Sequence, residues 1–232
     1  MKRDILTSAI GIIVFTLFCG IVYPLVITGV SQVAFPGNAN GQQVFVHGKL
    51  VGSKIIGQSF EYQVTNKAGK PLTTSTKGPL LLPELKYFQT RPSGTGEPYI
   101  SGGTPDNGAG TAFSNLGPNS ITTEKILAGN IAAYIALDKA PTGTPYYPGG
   151  LTAAKVPVDA VDSSASGIDP DISVRNANIQ AYRVAAVRHM PLTTVDKLVS
   201  TYTSGRALGF SGEPGVDVLE LNLALDRLTG GH

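Results

Sequence analysis

The stretch ILTSAIGIIVFTLFCGIVYPLVITGVSQVAF, residues 5–35, contains no charged side chain and decides how the chain is organised. About 20 apolar residues in a helix cover the hydrocarbon core of a bilayer, and a helix satisfies its own backbone groups there. The run therefore predicts that residues 1–35 form a short polar tip and a single transmembrane helix. Residues 36–232 carry charges, glycines and prolines, and predict one further domain.

A cleaved secretory signal peptide is the alternative for this run. The apolar part of a signal peptide is about 7–15 residues long, so the greater length here favours a retained anchor. Lys2 and Arg3 precede the run, and the positive-inside rule keeps such residues in the cytoplasm. The domain is then expected to be extracytoplasmic. The single cysteine, Cys19, lies within the run, so no disulfide can form in the domain.

Within the predicted span, Pro24 removes one helix hydrogen bond, a break that neighbouring helices can tolerate in a membrane. Small residues along the run permit close approach of another helix. Packing against lipid alone is equally compatible with these features.

The remaining chain predicts a mixed α+β domain with helices weighted to its C-terminal half. Alternating apolar residues between Gln42 and Ile56 predict short strands. Four helices are predicted, beginning near residues 119–120, 173, 193–194 and 217, with Gly205 ending the third and Gly230 the fourth. Their predicted inward faces comprise Leu127, Ile131, Tyr134 and Ile135; Val174, Ala177, Ala181, Val184 and Ala185; Val195, Leu198, Val199 and Tyr202; and Val218, Leu221, Leu225 and Leu228.

Two stretches predict loops. Residues 64–83 are rich in Lys, Gly, Thr and Pro and indicate a surface excursion, and residues 91–110 carry so much Gly, Pro, Asn and Asp that a long loop is expected.

The chain lacks the usual marks of catalysis and of nucleic-acid binding. Its formal net charge is +2 and it has no basic run, which argues against a nucleic-acid partner. Its three histidines are scattered, so no metal site is predicted. No Gly-x-Ser-x-Gly elbow, Walker loop or dinucleotide fingerprint occurs, and we expect no catalytic centre.

Several blocks of the sequence resemble the C subunit of the bacterial Kdp potassium-transporting ATPase. In the C-terminal half these are SGIDPDIS at residues 166–173, Gln180 with RVA at 183–185, LGFSGEP at 208–214 and LNLALD at 221–226. Upstream, YPL at 23–25, TG at 28–29, GQSF at 57–60, YFQTRPS at 87–93 and SNLGP at 114–118 are similar to family blocks. The resemblance spans nearly the whole chain, and residues 64–86 and 104–113 resemble insertions between family blocks.

The resemblance implies an accessory subunit without a catalytic centre, which stabilises an ATP-driven, high-affinity potassium import complex in the bacterial inner membrane. Its implied partners are the lipid bilayer, a channel-like potassium-binding subunit and an ATP-hydrolysing P-type subunit. ATP and potassium act in the complex, and no cofactor bound by the chain itself is expected. A stand-alone, membrane-anchored extracytoplasmic binding module or enzyme is the alternative.

The resemblance also implies site residues. The family is described as a catalytic chaperone that raises the ATP affinity of the hydrolysing subunit, and the glutamine proposed there as a nucleotide ligand is Gln180 here. Tyr23, Pro24 and Gly29 are the implied partner interface in the membrane. The candidate partner-facing loop comprises Ser114, Asn115, Leu116, Gly117 and Pro118. An extracytoplasmic Gln180 lies across the membrane from ATP, so indirect coupling is the simpler expectation, with Gln180 as a helix-surface amide or a cap to a neighbouring loop.

Overall fold

The computed structural model describes residues 2–73, 80–92, 117, 119–164 and 166–230. Contacts within the chain divide it into two compact units, Met1–Ser53 and Lys54–His232. The division predicted near residue 35 stays a prediction.

The first unit begins with a long helical segment. Helix α1 spans Lys2–Leu17, a π-helical turn spans Phe18–Val22, and α2 spans Tyr23–Ala34. Together they are one exposed helix of 33 residues, in which an 18-residue window has a mean hydropathy of 2.6; the helix is long and apolar enough to cross a membrane. This confirms the predicted N-terminal helix. A short helix α3, Pro36–Ala39, and an antiparallel hairpin of β1, Gln43–Val46, and β2, Lys49–Ser53, complete the unit and confirm the predicted short strands.

The π-helical turn explains how the long helix accommodates Pro24. Because proline has no N–H, Pro24 cannot donate to the preceding turn. The Tyr23 N–H instead bonds back to the Phe18 carbonyl, five residues earlier, which widens the turn. The interruption of the span is thus located directly before the proline, as expected for a π-bulge at a break in the hydrogen-bond ladder.

The second unit is α+β, as predicted. Its strands are β3, Glu61–Gln63, and β4, Leu81–Pro83, which form one antiparallel pair, and β5, Asp171–Ser173, β6, Thr203–Ser204, and β7, Gly215–Asp217, which form a sheet in the order β5-β7-β6. Its helices are α4, Ile121–Leu137, α5, Val174–Val187, α6, Leu192–Thr201, and α7, Val218–Thr229. Single 3₁₀ turns span Ala153–Lys155 and Val158–Ala160.

The four predicted helices are present, and most of their inward faces are confirmed. The Ser173 side chain caps α5 by accepting from the Asn176 N–H, and Asp217 caps α7 in the same way. Gly230 ends α7 in the left-handed conformation at φ +65°, which glycine adopts without steric penalty. Ser120 occupies the N-cap position of α4, but its side chain makes no capping hydrogen bond.

Three sequence predictions need correction. Helix α6 ends at Thr201, before Gly205, because the chain turns directly into β6 and pairs with β7. Leu228 is 57 % exposed, since the last turn of α7 extends past the core. The stretch 64–83 is not entirely a surface excursion, because β4 returns to pair with β3 and Pro83 is buried.

One large apolar core lies between the sheet and helices α5, α6 and α7. Its fully buried members include Phe88, Ile172, Val184, Val195, Val216, Leu221 and Leu225. A smaller cluster forms where α4 meets α5 and the second 3₁₀ turn, and it comprises Tyr134, Ala160, Val161 and Ile179. Gly57 approaches the Asp169 carbonyl so closely that any side chain there would collide with it.

Candidate functional site

Gln180, the residue implied as a nucleotide ligand, faces the protein interior. It lies at the middle of α5, and its side chain contacts the backbone of residue 89. Only 4 % of the residue is exposed. It is therefore not the helix-surface amide considered from the sequence.

The Gln180 amide pairs with the backbone of residue 89. Its Oε1 accepts from the Gln89 N–H at 2.8 Å, and its Nε2 donates to the Gln89 carbonyl at 3.0 Å. Two further bonds complete the set, because Arg183 Nη2 donates to Oε1 at 2.8 Å and Nε2 donates to Asn176 Oδ1 at 3.0 Å. A carboxamide offers two donors and two lone pairs, so the hydrogen-bonding capacity of Gln180 is filled within the protein.

Asn222 on α7 repeats this arrangement on the preceding residue. Its Oδ1 accepts from the Phe88 N–H and its Nδ2 donates to the Phe88 carbonyl, both at 2.9 Å. Asn222 is 1 % exposed and the Phe88 side chain is fully buried. We call Gln180 and Asn222 the amide clamp, because the two side chains hold successive residues of one extended segment.

Arg183 of α5 and Arg188, the residue that follows α5, bind the carbonyls just before the clamp. Arg183 Nη1 donates to the carbonyls of Leu85 and Tyr87, and Arg188 Nε donates to the Lys86 carbonyl at 2.7 Å. All carbonyls from residue 85 to residue 89 therefore accept from side chains of α5, of its C-cap residue Arg188 or of α7. A buried segment that joins no sheet must satisfy its backbone in some other way, and these side chains do so.

A polar network continues on the other side of Gln180. Asn176 Oδ1 also accepts from the Tyr134 hydroxyl at 2.7 Å, and Asn176 Nδ2 donates to Asp159 Oδ2 at 3.0 Å. Asp159 in turn accepts from the backbone N–H and the hydroxyl of Ser173, both at 2.8 Å. The network joins α4, the second 3₁₀ turn and the start of α5 through one buried and three partly buried hydrogen bonds, and such networks rigidify a core when they are fully satisfied.

A small cavity adjoins the amide clamp. Tyr134, Asp138, Gln180 and Arg183 contribute its polar lining, and its volume is about 10 Å³. That volume holds roughly one water molecule. Burial raises the pKa of the Asp138 carboxyl, although its hydrogen bond from the Tyr147 N–H opposes this shift. A nucleotide does not fit this cavity. The hydrogen bonds of Gln180 instead hold the backbone of residue 89 against α5.

The remaining candidate residues form two groups, one in the first unit and one just before α4. Tyr23, Pro24 and Gly29 lie on the exposed surface of α2, and a side chain added at Gly29 would meet no other atom of the chain. Of the candidate loop, Ser114, Asn115, Leu116 and Pro118 lie outside the described residues. The Gly117 carbonyl accepts from the Ser120 N–H at 3.0 Å, just before α4.

Sequence reasoning missed Asn222, Arg188, Asn176 and Asp159. A signal existed for Asn222, because it lies four residues after Val218 on the buried face of α7, where an amide must find a buried partner. Its partner is 134 residues away along the chain and no local pattern points to it. Within the described ranges, no three or more His, Cys, Asp or Glu side chains come together as metal ligands would.

Comparison with known proteins identifies the family. The family model described as "K+-transporting ATPase, c chain" matches residues 5–227. The chain is 40 % identical to the potassium-transporting ATPase KdpC subunit of Mycobacterium tuberculosis H37Rv over 98 % of this chain and 100 % of that protein. It is 40 % identical to the KdpC subunit of Streptomyces coelicolor, with coverages of 96 % and 92 %, and 39 % identical to that of Bradyrhizobium diazoefficiens, with coverages of 98 % and 98 %. The chain, with its apolar N-terminal helix and its α+β domain, therefore belongs to the KdpC family of K+-transporting ATPase c chains.

Proposed function

We propose that this chain is a non-catalytic accessory subunit of an ATP-driven potassium import complex in the bacterial inner membrane. The observation that carries the proposal is the family match over residues 5–227, which includes both the apolar helix and the α+β domain. Its partners are a channel-like potassium-binding subunit and a P-type subunit that hydrolyses ATP. Potassium and ATP bind to those partners, and this chain holds no cofactor of its own.

We further propose that the α+β domain is extracytoplasmic. Lys2 and Arg3 precede the apolar helix and favour a cytoplasmic N-terminus. A single span then directs the rest of the chain to the opposite side of the membrane. Tyr23, Pro24 and Gly29 lie within the exposed helix, where a π-helical turn and small residues suit contact with partner helices.

The domain acts on ATP affinity by indirect coupling. The four hydrogen-bonding positions of the Gln180 amide are occupied, and the adjoining cavity is far smaller than a nucleotide. A subunit that binds one conformation of the pump more tightly shifts its population, and linkage then changes nucleotide affinity without contact. In this account Gln180 maintains the shape of the domain that the partner recognises.

Purification of the tagged full-length chain in mild detergent tests the proposal. We expect two larger membrane subunits to co-purify, and the preparation to hydrolyse ATP when potassium is supplied. A chain that purifies alone, in membranes that contain the other subunits, would contradict the proposal and favour a stand-alone binding module.

A further inference from the structure

The connection between β6 and β7 presents two large apolar side chains to solvent. Leu208 is 88 % exposed and Phe210 is 75 % exposed. We call residues 206–213 the apolar loop. Both side chains belong to the second unit and not to the apolar N-terminal helix. In that helix, exposed apolar side chains are expected because the segment is apolar enough to span a membrane. Large apolar side chains that are exposed together on one loop can form a surface that binds a partner.

The apolar loop is held in one conformation. The backbones of Ala207 and Ser211 exchange hydrogen bonds in both directions, at 2.8 and 2.9 Å. At its base, Arg206 Nη2 donates to both carboxylate oxygens of Glu213 at 2.8 Å. A loop already ordered in its bound form loses less conformational entropy on binding, so this rigidity favours recognition.

Leu208 adopts a conformation that its side chain disfavours. Its φ is +55°, in the left-handed region, where glycine or asparagine would be more stable. An exposed leucine in this conformation contributes no buried contact within the chain. Backbone strain of this kind is concentrated at functional positions, and here it directs an apolar side chain outward.

The charges of the apolar loop favour a protein partner over a lipid surface. The loop contains one basic residue, Arg206, and one acidic residue, Glu213, and the two are paired. Membrane surfaces attract clusters of Lys and Arg, and this loop has no net charge to offer. An apolar aromatic side chain above a neutral base instead matches the usual centre of a protein interface.

We propose that the apolar loop inserts Leu208 and Phe210 into a neutral, apolar pocket on the extracytoplasmic surface of a partner membrane subunit. The proposal rests on the proposed function, which supplies both the compartment and the partner. It adds the contact through which the domain recognises the conformation of the pump.

Site-specific photocrosslinking in the complete complex tests this contact. A benzophenone amino acid is placed at Phe210 and, as a matched control, at Val158, which is 74 % exposed. We expect Phe210 to crosslink to a partner subunit about tenfold more efficiently than Val158. Crosslinks from Phe210 only to lipid or to a second copy of the chain, or none at all, would overturn the proposal.

Variants separate docking from folding. Leu208→Asn relieves the backbone strain, so Tm should stay the same or rise, while the recovery of partner subunits falls about tenfold. Phe210→Ser should also reduce recovery, and Val158→Ser should not. Unchanged recovery with both loop variants would overturn the proposal. If the wild-type chain itself recovers no partner, the proposed function fails; if the wild type and the variants recover partners equally, only the docking contact fails.

Discussion

At the residue scale, the decisive feature is an amide whose partners are all inside the protein. Gln180 and Asn222 bind the backbone of residues 89 and 88 as neighbouring strands would, although that segment joins no sheet. Losing either side chain leaves a buried N–H and carbonyl without partners. Such groups destabilise a protein by about 1–3 kcal/mol each.

We expect Gln180→Ala and Asn222→Ala each to lower the free energy of unfolding by about 2–4 kcal/mol, because each substitution leaves buried polar groups without hydrogen-bond partners. Thermal unfolding of the full-length variants measures this. In the intact complex, both variants should change the KM for ATP to a similar extent. A raised KM with Gln180→Ala alone, at equal stability of the two variants, would instead support a direct role of Gln180 in nucleotide binding.

Asp217 connects folding stability to pH. Burial raises the pKa of its carboxyl to about 6; Glu220 and Asp171 add to the shift, whereas the hydrogen bond from the Glu220 N–H and the charge of Lys54 oppose it. The folded state therefore binds this proton more tightly than the unfolded state. Stability falls as pH rises from about 4 to about 6, and the penalty is fully present above that range.

Asp217→Asn should remove this penalty while keeping an oxygen that accepts from the Glu220 N–H. We expect the variant to be more stable than the wild type by about 1–3 kcal/mol at pH 7.5, and to differ little at pH 4.5, where the carboxyl is already protonated. Thermal denaturation at the two pH values gives the comparison. A variant that is less stable at pH 7.5 would show that the carboxylate is needed in charged form.

At the element scale, α7 combines a buried stripe with an exposed end. Leu225 is fully buried, whereas Leu228, three residues later, is 57 % exposed. Leu225→Asp should destabilise the domain by several kcal/mol because it buries an unpaired charge, and Leu228→Asp should change stability by less than about 0.5 kcal/mol. Equal effects of the two substitutions on thermal unfolding would contradict this packing of α7.

The apolar N-terminal helix permits a second prediction at this scale. Replacement of Ser8 to Val30 by a generic Leu/Ala span should preserve membrane insertion and the folding of the domain. It should weaken assembly of the transport complex, because it removes the π-helical turn and the small residues. Co-purification of the partner subunits measures assembly. Intact complexes that support growth at limiting potassium would show that the helix serves only as an anchor.

The element scale also shows what the sequence could reveal. Helices such as α5 and α7 were predictable, because ten or more residues display a 3.6-residue period and a capping side chain marks the start. The sheet of β5, β6 and β7 was not, because strands of two or three residues are too short to show alternation. The amide clamp was hidden for another reason. Gln180 and Gln89 are 91 residues apart, and their pairing depends on the tertiary fold.

At the scale of the whole molecule, the family assignment and the apolar helix agree on a membrane-anchored subunit. The central claim is that its domain lies across the membrane from ATP and influences the pump indirectly. Gln180 then preserves the shape of the domain, and the apolar loop provides contact with a partner. The claim depends on topology, because a cytoplasmic domain would restore the possibility of direct nucleotide contact.

Thiol labelling of the assembled complex in intact spheroplasts tests this claim most directly. Cys19 is the only cysteine of this chain, so in a Cys19→Ser background either Lys197→Cys, on the exposed face of α6, or Lys2→Cys is the single thiol of the chain, and its labelling is detected in the band of this chain after the subunits are separated. We predict that a membrane-impermeant maleimide modifies the cysteine at position 197 without permeabilisation, and the one at position 2 only after it. The opposite pattern, with position 197 protected until the membrane is opened, would contradict the account.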